Sequence, residues 1–190
     1  LGVIAHQAGE NHRAADLIKK ALSIKPDFAE AHSNLGIALK ELGQLDDAVA
    51  SCQSALAIKP NYAEAHYNLG NALQELEQLD EAVACYHKAI DVKPDYAHAH
   101  NNLGSSLQGL NRLDEAFSYF QKAITLKPDY AEAYYNLGNV LREFEQFDEA
   151  ISYFHKAVNL DIHFAEAHCN LGVALKELGR LDEAIASCHK

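Results

Sequence analysis

Six glycines of this chain stand 34 residues apart, at Gly2, Gly36, Gly70, Gly104, Gly138 and Gly172. The same step relates Leu35, Leu69, Leu103, Leu137 and Leu171, each directly before its glycine, and the alanines Ala14, Ala48, Ala82, Ala116, Ala150 and Ala184. All four prolines, Pro26, Pro60, Pro94 and Pro128, fall in one further column. A period of this length excludes a single globular core. It requires one supersecondary unit, repeated, with each copy burying its apolar face against the next.

Each unit reads as two helices. In the second unit, Leu35, Leu39 and Leu42 lie at i, i+4 and i+7 and mark one face of a helix from Ala29 to Leu42. Val49, Cys52 and Leu56, with Ala48 and Ala55 beside them, form the stripe of a second helix from Leu45 to Ile58. Asp46 and Asp47 occupy its first turn, where negative charge suits the helix dipole. Gly43 fits the left-handed stop between the two helices. Lys59-Pro60 ends the second, because a residue before proline avoids the α region. An aromatic then opens the next unit, at Phe28, Tyr62, Tyr96, Tyr130 and Phe164. A glycine inside a helix costs roughly 1 kcal/mol relative to alanine. Its recurrence predicts a place where a Cβ would collide, and the expected partner is the alanine column from Ala48 to Ala184.

A 34-residue helix–turn–helix carrying Asn34-Leu35-Gly36, Leu39, Gly43, Ala48, Ala55 and Pro60, with counterparts in every unit, resembles the tetratricopeptide repeat family. The resemblance covers the whole chain. It implies an all-α fold, a right-handed superhelical solenoid of antiparallel helix pairs, as a single domain over residues 1–190. Residues 29–62, 63–96, 97–130 and 131–164 are then full repeats, and 1–28 and 165–190 are partial ones. The chain departs from the family pattern at identifiable places. The aromatic often found four residues before the glycine is His32, His66, His100 and His168 here, with Tyr134 the exception. Glu77, Asn111 and Glu145 stand at the glycine stop, and Asp161-Ile162-His163 replaces Lys-Pro-Asp, which predicts the softest junction there.

The family places its first helices on a concave face. The columns directed there lie at −3, −2, +1, +4 and +5 from each glycine. The −2 column is asparagine throughout: Asn34, Asn68, Asn102, Asn136 and Asn170. Around it stand Tyr67, Asn101 and Tyr135 at −3, Asn71 and Asn139 at +1, and Gln74, Gln108 and Arg142 at +4. Asparagine is a mediocre helix former, so propensity does not explain the column. A side-chain amide offers two donors and an acceptor, which matches an extended peptide backbone. The column reads either as a ladder that holds a peptide or as bonds between neighbouring helices. The ladder resembles the concave face of O-GlcNAc transferases. The polar density is greatest over the third to fifth units, with Tyr67 and Tyr135 as flanking surfaces. A clamp for acidic C-termini is not expected, because the −6 column is Glu30, Glu64, His98, Glu132 and Glu166 instead of basic residues.

Composition limits the partners. Sixteen Lys and Arg against 27 Asp and Glu leave a net charge of −11, which argues against nucleic acid and anionic membranes. The apolar runs are too short to span a bilayer. Cys52, Cys85, Cys169 and Cys188 form no CxxC pair, and they read as buried or half-buried thiols of a reducing, cytoplasmic compartment. Repeat-equivalent histidines stand at least one helix spacing apart, roughly 8–10 Å. They therefore cannot share an ion whose ligands lie about 2 Å away. Neither a metal nor another cofactor is expected, and no nucleophile–base pair or phosphate loop points to an enzyme.

The expected function is a protein–protein interaction scaffold that holds an extended polypeptide in its groove. The alternative is the substrate-recruiting arm of a larger glycosyltransferase of the O-GlcNAc-transferase type. Residue 1 is Leu and the chain holds no Met, which fits a piece of something longer. Uncapped terminal helices, with Leu181, Ile185 and Cys188 at one end, predict head-to-tail self-association.

Overall fold

The computed structural model describes residues 11–188, apart from the side chain of Cys188. Gly2 therefore lies outside the described residues. Among those residues the chain forms eleven helices and no strand. They are α1 (Asn11–Ile24), α2 (Ala29–Glu41), α3 (Leu45–Ile58), α4 (Ala63–Glu75), α5 (Leu79–Val92), α6 (Ala97–Gly109), α7 (Leu113–Leu126), α8 (Ala131–Glu143), α9 (Phe147–Leu160), α10 (Ala165–Glu177) and α11 (Leu181–Cys188). The even-numbered helices carry the glycine column and open each repeat. The chain divides into two compact units, Leu1–Ser106 and Leu107–Lys190, with the division inside α6.

In the first unit α2 packs on α3 and α4 on α5, α3 packs against α4, and α2 touches α4 directly. In the second unit α8 packs on α9 and α10 on α11, with α9 against α10 and α8 touching α10. The alanines Ala48, Ala82, Ala116 and Ala150 have no exposed surface, so backbones approach closely along this column. Leu35 and Leu39 in the first unit, and Leu137, Leu141, Leu171 and Leu175 in the second, are buried beside them. On the last helix Leu181 and Ile185 are 58% and 59% exposed, whereas Ile151, one repeat earlier, is 4% exposed.

The glycine column faces a different partner from the one expected. A Cβ on Gly70 would stand 2.6–2.9 Å from the ring atoms of Tyr86, and one on Gly138 2.6–3.1 Å from the ring of Phe154. On Gly36 it would stand 2.5 Å from Cys52 Sγ, with the alanine column contributing only the Ala48 carbonyl oxygen at 3.2 Å. The glycine thus accommodates the residue one turn beyond the alanine. Both residues lie on the same helical face, so spacing does not separate them, and the larger side chain reaches across.

Each first helix ends in the same hydrogen-bonded stop. Gln44 N donates to Leu39 O and Gly43 N to Lys40 O, with Gly43 at φ +71°. Where glycine is absent the backbone keeps this conformation: Glu77, Asn111 and Glu145 sit at φ 59°, 58° and 60°. The left-handed region costs a residue with a Cβ roughly 1–2 kcal/mol. The junction at Asp161 also keeps its path without proline, at φ −134° and ψ 100°, against −132° and 85° at Lys59.

Two stability changes follow. Gly70→Ala should destabilise by roughly 1–2 kcal/mol, because overpacking against the fully buried Tyr86 ring exceeds the gain in helix propensity. Glu145→Gly should stabilise by roughly 1 kcal/mol by removing left-handed strain. Urea unfolding of the two variants beside the parent chain reads both.

Candidate functional site

Within each unit, asparagines of the column are tied sideways to the preceding repeat. In the first unit Asn102 Nδ2 donates to Asn71 Oδ1 at 2.9 Å and to Tyr67 OH at 3.2 Å, and Asn68 Nδ2 donates to Ser33 Oγ at 3.0 Å. In the second unit Asn170 Nδ2 donates to Asn139 Oδ1 at 2.7 Å and to Tyr135 OH at 3.1 Å. Two matching clusters result, Tyr67–Asn71–Asn102 and Tyr135–Asn139–Asn170, one in each unit. In each, both amide protons of the −2 asparagine are spent on the chain itself. Not engaged by these bonds in the second cluster are Asn170 Oδ1 as acceptor, with the Asn139 amide and the Tyr135 hydroxyl as donors.

Rings support both clusters from below. The Tyr67 ring centroid lies 4.9 Å from that of Tyr96 and 6.0 Å from that of Tyr86. Tyr135 stands in the same relation to Phe164 at 4.9 Å and Phe154 at 6.0 Å. The Tyr86 hydroxyl passes beside Gly70 to reach Asn71 Oδ1 at 2.8 Å and Gln74 Oε1 at 2.7 Å, and its single proton serves one of them at a time. Burial raises its pKa well above the ordinary tyrosine value, so this hydroxyl stays protonated.

The remaining residues of the expected groove divide clearly. Asn34, Asn136 and Arg142 are half-buried on first helices. Gln108 Nε2 donates to Glu143 Oε1, one repeat on, just as Lys40 Nζ donates to Glu75 Oε1 at 2.8 Å. Asn101 does not belong to a binding surface. It has no exposed area, and its Nδ2 donates to Asn102 Oδ1 at 3.3 Å, which makes it a support for its neighbour. Among the cysteines, Cys52 is buried and Cys85 half-buried, but Cys169 is exposed, contrary to expectation. Burial pushes the Cys52 thiol up to about 12, which keeps it unreactive.

A cleft of about 570 Å³ opens in the second unit where α8 and α10 begin. Tyr130, Tyr135 and Phe164 give it aromatic walls, and Glu132, Asp161 and Glu166 give it carboxylates. Asn136 also lines it, so the cleft adjoins the amide row. The sequence carries a signal for it: an acidic −6 column together with Asp161 where the other units have lysine.

The histidines fasten the repeat junctions. His66 Nε2 donates to Pro60 O at 2.9 Å, His100 Nε2 to Pro94 O at 3.0 Å and His168 Nε2 to Ile162 O at 3.1 Å. His32 makes the same contact with Pro26 O at 2.9 Å. Desolvation lowers the His66 pKa below its ordinary 6.5, the Pro60 carbonyl opposes that shift, and Lys88 adds to it. The folded chain therefore resists a proton that the unfolded chain accepts. The His66 contribution is complete above pH 6.5 and declines as the pH falls below it. Thermal melts should show a lower midpoint at pH 5.5 than at pH 7.5. His66→Gln keeps a donor for the Pro60 carbonyl and should reduce that difference.

Comparison with known proteins agrees with this architecture. The tetratricopeptide repeat model matches residues 61–129 and 95–163, and related repeat models match 5–55, 38–77 and 165–190. No match is found among curated protein sequences. Among solved structures, MamA is 28% identical with a TM-score of 0.76, covering 87% of this chain and 97% of its own. YrrB, described as a TPR protein with an unusual peptide-binding site, is 26% identical with a TM-score of 0.72, covering 91% of this chain and 89% of its own. PilF of Pseudomonas aeruginosa shares the fold at 23% identity and a TM-score of 0.88, covering 98% of this chain and 85% of its own. The 34-residue period, the helix pairs and the repeat models agree: the chain belongs to the tetratricopeptide repeat family.

Proposed function

We propose that the chain is a protein-interaction scaffold that holds an extended polypeptide along the first helices of its repeats. The observation that carries this reading is the pair of matching clusters, above all Tyr135–Asn139–Asn170. Their lateral bonds fix each amide in one orientation, so little side-chain freedom is lost when a ligand arrives. The second cluster still offers donors and an acceptor of the kind a peptide backbone needs. An extended strand advances roughly 3.3 Å per residue, so about three residues cross one helix spacing of roughly 10 Å. Amides recurring once per repeat fit that advance and read backbone more than side chains. Likeness to YrrB, with its peptide-binding site, supports the same assignment.

Panning a library of unstructured peptides against the chain tests the proposal. The selected peptides should bind Asn139→Ala/Asn170→Ala at least tenfold more weakly while the helical signal is unchanged. Equal affinity for both forms overturns the proposal.

A further inference from the structure

At four junctions the chain seats one of its own lysines on the aromatic that opens the next repeat. Lys25 Nζ lies 4.8 Å from the centroid of Phe28, Lys59 4.4 Å from Tyr62, Lys93 4.8 Å from Tyr96 and Lys127 4.9 Å from Tyr130. Two of these ammonium groups also meet a glutamate of the same repeat, Lys59 with Glu30 at 3.4 Å and Lys93 with Glu64 at 3.8 Å. The fold thus contains a recurring seat for a cation, with a ring on one side and a carboxylate on the other.

The fifth junction keeps the seat and reverses the charge of its occupant. Phe164 stands where Tyr62 and Tyr96 stand, and Glu132 where Glu30 and Glu64 stand, but residue 161 is aspartate. The exchange does not come from a different chain path. Asp161 lies at φ −134° and ψ 100°, close to Lys93 at −135° and 87° and Lys127 at −137° and 89°. The cleft of about 570 Å³ opens at this place, with Glu132, Asp161 and Glu166 around Tyr135 and Phe164.

We infer that this cleft receives a cationic side chain, an arginine or lysine of the bound polypeptide, in the position that the chain's own lysine holds at the other junctions. The inference rests on the proposal that a polypeptide is bound, and it adds the chemistry of one anchoring residue. Aromatic walls take the aliphatic stem and, for arginine, the face of the planar guanidinium. The carboxylates and the overall charge of −11 complement the positive head. Because Tyr135 and Asn136 line both the cleft and the amide row, a backbone held along the row delivers its side chain directly.

The test uses two peptides, acetyl-Gly-Ser-Gly-Arg-Gly-Ser-Gly-amide and the same peptide with Gln for Arg, titrated into the ¹⁵N-labelled chain by NMR. The arginine peptide should bind at least tenfold more tightly and shift the amide signals of Tyr135 and Phe164. Asp161→Lys should fold normally, since lysine fills this place in the other repeats, and should abolish the preference. Asp161→Asn should weaken it about threefold. Equal binding of the two peptides, or a preference that survives Asp161→Lys, overturns the inference. Binding of neither peptide also overturns it and leaves the amide row to the library experiment, whose variants do not touch the cleft's carboxylates.

Discussion

The close approach of the two helices in each pair governs what the surface can present. With no Cβ at Gly70 or Gly138, a full aromatic ring of the second helix lies against the first-helix backbone. Tyr86, Phe120 and Phe154 are wholly buried in this column, and Cys52 occupies it in the second repeat. The glycine forfeits roughly 1 kcal/mol of helix propensity, and a buried ring offsets that through the apolar area it removes from water. The polar row depends on the same contact. Tyr86 reaches Asn71 and Gln74 only because its ring passes beside Gly70, and Tyr67 and Tyr135 rest on the rings below them.

The lateral amide bonds change the character of the asparagine column. A row of solvated amides would be floppy, and ordering it would oppose binding. Here Asn102 and Asn170 are held by two acceptors each, both supplied by the preceding repeat. The bonds that join neighbouring helices also fix the orientation of these amides, and that fixed orientation is what the proposed peptide reading calls for. Internal cations follow similar logic. Lysines at four junctions sit over the aromatic that opens the next repeat, and the exchange to Asp161 leaves one junction acidic.

Much of the fold was legible because it is local. The apolar spacing of Leu35 and Leu39, the acidic turn at Asp46 and Asp47, and Lys59-Pro60 predict helices that the structure places at Ala29–Glu41 and Leu45–Ile58. Gly43 predicts a left-handed stop, and it adopts one. The sequence was less informative about contacts across helices. Ala48 and Cys52 share a face one turn apart, so periodicity could not say which of them meets Gly36. Asn101 sits beside Asn102 in a polar stretch, yet the structure buries it completely, because adjacent positions on a helix point in different directions.

The sequence by itself determined the period, the helix pairs, their ends and the family. Each of these follows from backbone preferences within a few residues or from identities recurring every 34. Only the tertiary structure decided what each recurring residue does. The partners of Asn102 and Asn170 lie 31 and 35 residues away, and the walls of the cleft come from the starts of two successive repeats. Those relations depend on how far one helix is set from the next. That distance is set by how one repeat packs against the next, which spacing along the chain does not specify.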